Sequence, residues 1–146
     1  MNTTSQIYSD NQRRIVLVAD DDEGMRDLTA RTVAQIGLLP VKAQDGISAL
    51  DLANEYKNLL ICAVLDIQMP FLNGAEVAHT IRQSIPNLAI VLISGGIPPH
   101  LTDRINQLRQ FTMIHKPFPP LLLREVLEQI VGTPPAPSTN SSCHTL

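Results

Sequence analysis

The sequence predicts an α/β domain: a doubly wound sheet of five parallel strands with five helices spread over both faces. Three observations carry that expectation. Apolar runs alternate five times with amphipathic stretches, the pattern of β-α units and a mostly parallel sheet. Three of the runs, "RIVLVA" (14–19), "LLICAVL" (59–65) and "LAIVLI" (88–93), are dominated by apolar residues from end to end, as strands covered on both faces must be. Polar or charged residues leave four of the five runs, and right-handed crossovers bring all five strand C-termini to one edge.

Each element has its own reason. After "RIVLVA", the stretch "DEGMRDLTARTVAQIG" sets Leu28, Thr32, Val33 and Ile36 at helical spacing, with Gly37 as a stop. "LLPVKA" (38–43) is a weaker strand, and Pro40 suits a position near a sheet edge. "GISALDLANEYK" puts Ile47, Leu50 and Ala53 on one helical face. The strand "LLICAVL" leads to "GAEVAHTIRQSI", whose Val77, Ala78, Ile81 and Ile85 form another such face. The strand "LAIVLI" is followed by "SGGIPPH" (94–100), rich in Gly and Pro and expected to be a mobile loop. A helix then carries Leu101, Ile105 and Leu108, and it is expected to be short or to start late. "FTMIH" (111–115) is a short strand, and "PPLLLREVLEQIV" opens with prolines that a first helical turn accepts.

The folded domain is therefore expected over residues 14–131, with polar tails at 1–13 and 132–146, the second rich in Pro, Ser and Thr. A chain of 146 residues with 44% hydrophobic residues supports one domain with a real core. A net charge of -3 and 3% aromatic residues argue against a nucleic-acid or anionic-membrane surface. No apolar run approaches the roughly 18 residues that cross a bilayer, and the N-terminus has no secretory h-region. The expectation is a soluble cytoplasmic domain. Cys62 reads as a core residue, Cys143 lies in the second tail, and no Cys-x-x-Cys spacing suggests redox chemistry. None of the four histidines pairs with another at metal-ligand spacing, and His79 reads as a surface residue.

The polar exits define the chemistry. The first strand delivers Asp20 and Asp21, the third Asp66, the fourth Ser94 and the fifth Lys116. Asp22 reads as the N-cap of the first helix. Three carboxylates at one rim cannot all stay ionised without a counter-ion. Their oxygens, with no Cys or His beside them, select Mg²⁺, or alternatively Mn²⁺. A lysine and a hydroxyl opposite complete a pocket for a phosphoryl group, and the best nucleophile there is a carboxylate.

With these residues in place, segment 14–131 resembles the receiver domain of two-component response regulators. The matching motifs are Asp20-Asp21 with Met25-Arg26 after them, "LDIQMPFLNG" (65–74), "LISGG" (92–96) and "HKPF" (115–118). The resemblance implies a flavodoxin-like three-layer sandwich with strand order 2-1-3-4-5. It implies that Asp66 is the phosphoacceptor, supplied by a histidine kinase or a histidine phosphotransfer protein. It further implies that Asp21, Asp66 and the backbone carbonyl of Gln68 bind Mg²⁺, with Asp20 acting mostly through water. Lys116 would contact the phosphoryl oxygens, Ser94 would turn inward to the acyl phosphate, and Lys116–Pro117 would be cis. The first helix, with Met25 and Arg26, would dock the phosphodonor. A downstream protein partner, or a phosphorylation-dependent homodimer, would read the result.

Two departures stand out. Met113 occupies the position where such domains carry Tyr or Phe, and Phe111 lies two residues earlier on the same strand face. Gln68 and Gly96 flank the phosphoacceptor and Ser94, and this pair bears on how long a phosphoryl group survives. The sequence reads as a single-domain receiver; a receiver fragment of a hybrid histidine kinase is the alternative. A Mg²⁺-dependent phosphatase would need a second Asp where Gln68 stands. A nucleotide-binding domain would need a Gly-rich turn where four acids stand.

Overall fold

A computed structural model describes residues 14–132. The expected tails, 1–13 and 132–146, lie outside the described residues except for Gly132. Ten elements alternate along the chain: β1 (Ile15–Ala19), α1 (Glu23–Gln35), β2 (Leu39–Ala43), α2 (Gly46–Glu55), β3 (Leu60–Asp66), α3 (Gly74–Ser84), β4 (Ala89–Ser94), α4 (Thr102–Asn106), β5 (Thr112–His115) and α5 (Pro120–Val131). All strand pairs are parallel, in the order β2-β1-β3-β4-β5. Pro40 falls on the edge strand β2, where a missing N–H costs no central ladder bond.

The two faces of the sheet hold two cores. Ile15, Leu17, Ala63, Leu65, Ile90 and Leu92 face α2, α3 and α4. Val16, Val18, Val64, Val91 and Ile93 face α1 and α5, where Val33, Leu123 and Leu127 meet them. The alternation follows from the two-residue period of a strand. It is offset at the start of β3, where the pairing steps from Ile15–Leu60 to Val16–Cys62, leaving Ile61 as an extra residue. Cys62 is fully buried, and burial pushes its thiol up to about 12, so it is a core residue as expected.

Local capping explains most helix starts. Asp22 accepts from the N–H groups of Gly24 and Met25, Asp45 from Ser48, and Asn73 from Glu76. Gly37, at φ 87°, ends α1 in the left-handed region that a non-glycine residue enters only with strain.

Two expectations need correction. Ile47 is 54% exposed, because the buried stripe of α2 runs through Gly46, Ala49 and Ala53, and Ile47 is turned off it by one step of the helix. His79 is not a plain surface residue: it is half-buried, with Nε2 2.8 Å from the Arg104 carbonyl. The helix after β4 is short and starts late, as expected: it has five residues and is preceded by a 3₁₀ turn at Pro99–Leu101. Leu101, Ile105 and Leu108 are nonetheless all buried.

The turn that follows α4 is held by α3. Arg109 and Gln110 both take positive φ (62° and 51°). Their carbonyls, and that of Leu108, accept from the Arg82 guanidinium, whose Nε also donates to Leu88. Arg82 thus ties the turn that follows α4 to another helix. Glu76 adds a two-bond ion pair to Arg104 at 2.8 and 3.1 Å. Glu76, His79 and Arg82, spaced three apart, bind α3 to α4 along one seam.

Candidate functional site

The C-terminal rim collects the predicted side chains. Asp20 follows β1, Asp66 ends β3, Ser94 ends β4 and Lys116 follows β5. Adjoining backbones lock these strand ends together. Asp20 N–H donates to Ala43 O at 3.1 Å, Ile67 N–H to Ile93 O at 2.9 Å and Lys116 N–H to Ser94 O at 2.8 Å. Gly74 opens α3 against this rim: a Cβ there would collide with the Asp66 carbonyl, so only glycine lets α3 start so close.

Asp20, Asp21 and Asp66 each present a carboxylate oxygen within 4.8 Å of the other two. Asp20 and Asp66 are 3% and 5% exposed, whereas Asp21 is open to solvent. Lys116 Nζ lies 3.5 Å from Asp66 Oδ1 and 3.8 Å from Asp20 Oδ2. Burial pushes the Asp66 carboxyl up to about 6. The Asp20 and Asp21 charges push the same way, and Lys116 pulls back. Asp20 is raised too, chiefly by burial, with the Asp22 N–H bond and Lys116 opposing. One lysine therefore does not balance three acids. An all-oxygen cluster with excess negative charge fits a hard divalent cation such as Mg²⁺.

The remaining predicted residues are placed around this cluster. Ser94 is 1% exposed, and its Oγ accepts from the Gly96 N–H at 2.9 Å. Gln68 is exposed and shares with Asp21 an open groove of about 380 Å³, bordered also by Met69, Asn73, Pro98 and His100. The Lys116–Pro117 bond is cis. His115 is exposed, and Met113 and Phe111 pack against the same core, on the α2–α4 face of the sheet.

Arg26 makes a contact that the sequence reading did not include. It is half-buried, and its Nη1 donates to the Asp20 carbonyl at 2.9 Å. Neither this bond nor the Arg82 bonds to the turn after α4 were visible in the sequence. Both reach backbone carbonyls, which leave no residue-type signature in their targets.

A family model described as "Response regulator receiver domain" matches residues 16–128, and the chain belongs to that family. It is similar to a chemotaxis protein CheY homolog of Campylobacter jejuni, at 29% identity over 123 residues, covering 81% of this chain and 92% of that protein. It is also similar to the autoinducer 1 sensor kinase/phosphatase LuxN of Vibrio campbellii, at 31% identity over 121 residues, covering 83% of this chain. The chain spans 14% of LuxN's length. Among solved structures, the receiver domain of NtrX from Brucella abortus matches with TM-score 0.70 and 29% identity, over 81% of this chain and 98% of that one. A chain of the CheX–CheY–BeF3–Mg²⁺ complex from Borrelia burgdorferi shares the fold, with TM-score 0.73 and 20% identity, over 86% of this chain and 95% of that one. Among the described residues, no helix is long and apolar enough to cross a membrane.

Proposed function

We propose that this receiver domain accepts a phosphoryl group on Asp66 from a histidine kinase or histidine phosphotransfer protein in the cytoplasm. The observation that carries the reading is the Asp66 carboxylate itself. It is buried at a strand end, pushed up to about 6, and faced by Lys116 at 3.5 Å with two further acids within 4.8 Å.

An Asp66 carboxylate oxygen attacks phosphorus. The new O–P bond makes an acyl phosphate as the donor's P–N bond breaks and its electron pair leaves with the imidazole. Lys116 is placed to meet the phosphoryl oxygens as a point charge. A divalent cation, Mg²⁺ or Mn²⁺, held by Asp21, Asp66 and the backbone carbonyl of Gln68 with Asp20 acting mostly through water, would neutralise the charge gathered on the acids and the phosphoryl group. The buried Ser94 hydroxyl turns from the Gly96 N–H to donate to the acyl phosphate, so the loop after β4 moves with it. Gln68 and Gly96 border the path of hydrolytic water. The changed α4–β5 surface is read by a downstream protein or by a second copy of the chain.

Incubation with acetyl phosphate and Mg²⁺ is expected to label the protein stoichiometrically, and chelation of Mg²⁺ or the change Asp66→Asn is expected to abolish the label. Labelling that persists in Asp66→Asn would place the acceptor elsewhere. Continuous turnover of a phosphate ester would mark the chain as a phosphatase instead.

A further inference from the structure

The geometry points to Arg26 as a positioning residue for the acidic cluster: by holding the Asp20 carbonyl it sets the peptide that aims Asp20 and Asp21 at one cation. The inference deepens the phosphoacceptor reading and rests on it.

The argument starts from strand geometry. Successive side chains of a strand point to opposite faces. Asp20 and Asp21 are consecutive, yet their carboxylate oxygens lie within 4.8 Å of each other and of Asp66. The backbone must therefore leave strand geometry between them. Hydrogen bonds locate where it leaves. Asp20 N–H is still in register with β2, donating to Ala43 O at 3.1 Å. The break falls at the next peptide, whose carbonyl is that of Asp20, and that carbonyl accepts from Arg26 Nη1 at 2.9 Å.

Arg26 thus takes over where the ladder stops. Two other contacts act on the Asp20 side chain: Oδ1 accepts from the Asp22 N–H at 2.9 Å, an Asx turn spanning the Asp20–Asp21 peptide, and Oδ2 lies 3.8 Å from Lys116. Arg26 grips the carbonyl of that same peptide, whose plane decides on which side Asp21 emerges, and so fixes it together with the Asx turn. The guanidinium has no competing task in view. Among the described residues Arg26 forms no ion pair, although Asp22 and Glu23 are near it in sequence. Arg26 reaches back six residues from the first turns of α1, and its N–H is itself anchored to Asp22 O at 2.8 Å. Helix α1, capped by Asp22, is therefore the rigid arm from which the cluster is held.

Losing a group that orients a metal ligand typically costs about 10–100-fold in metal affinity or activity, and a group that acts only by aiming the ligands is read in affinity for the ion. Magnesium affinity by calorimetry, thermal unfolding in chelator and acetyl phosphate labelling at saturating Mg²⁺ test this on Arg26→Met, which keeps the apolar stem but no donor. The expected result is a Mg²⁺ dissociation constant about tenfold higher, with the labelling rate at saturating Mg²⁺ unchanged. Arg26→Lys, with one shorter donor, should fall between, about threefold weaker than wild type; it carries the test alone if Arg26→Met does not fold. Unchanged Mg²⁺ affinity in a folded variant overturns the proposal, even where the unfolding temperature drops, because that is what a merely structural arginine gives. Wild-type protein that neither binds Mg²⁺ nor takes label would instead sink the phosphoacceptor reading, and this inference with it.

Discussion

At the rim of the sheet three carboxylates share one lysine, and two of them are buried with raised pKa. At the seam between α3 and α4 the charges are matched. Glu76 meets Arg104 through two bonds, and Arg82 spends its guanidinium on four carbonyls. The two regions use the same residue types for opposite ends. The seam satisfies carbonyls of the turn that two left-handed residues make after α4, and its Glu76–Arg104 pair holds α4 itself. The rim concentrates like charge at a cost to stability, which the proposed binding of a cation and a phosphoryl group would offset. Charge that serves the fold is paired within the chain, and charge that serves the chemistry awaits a partner from outside.

Opposite signs of mutational effect follow from that contrast. The largest is expected at the seam. Arg82→Ala leaves the carbonyls of Leu88, Leu108, Arg109 and Gln110 without their donor, and a loss of about 3 kcal/mol is expected in urea unfolding. An unchanged midpoint would show that water replaces the guanidinium and that the seam holds little.

Next comes the rim, with the sign reversed. Asp66→Asn removes a buried charge and is expected to stabilise the metal-free protein by on the order of 2 kcal/mol at neutral pH. The pH dependence follows the same logic. The folded-state pKa of Asp66, about 6, lies above its ordinary 3.8, so the folded state holds that proton more tightly. The stability from the protonated form is fully present below about pH 4 and is lost as pH rises through about 6. Asp20, raised as well, acts in the same direction. Stability curves in chelator should therefore fall across that window in wild type and fall less in Asp66→Asn.

The smallest effect belongs to Glu76→Gln. The Arg104 side chain holds the Glu76 carboxyl below its ordinary value, so its contribution is present above about pH 4.5 and lost on acidification. The pair is more than a third exposed, and a loss under about 1 kcal/mol is expected. A larger loss would mean that the Glu76 bonds and the Arg82 bonds act as one cooperative network.

Legibility in the sequence divides along the same line. The rim was readable because it is built from strand exits. An unbroken apolar run marks a strand, and the next residue must lie at the shared edge, so Asp20, Asp66, Ser94 and Lys116 could be brought together before any coordinates. The seam was not readable. Arg82 sits in the last turn of α3, where a basic residue is ordinary, and its partners are carbonyls 26–28 residues away. His79 looked like surface for the same reason, and Ile47 looked buried because apolar residues at helical spacing do not say which neighbouring face wins. Arg26 was legible as part of a motif, but its contact with Asp20 was not.

Magnesium titration of unfolding free energy at neutral pH, in wild type and Asp66→Asn, tests the central claim most directly. The account predicts that wild type starts less stable than Asp66→Asn and gains stability as Mg²⁺ rises, through preferential binding to the folded state. Most of that gain should be missing from Asp66→Asn, whose acidic cluster has lost a charge. Wild-type stability that stays flat across the titration, or an Asp66→Asn protein less stable than wild type without metal, would contradict it.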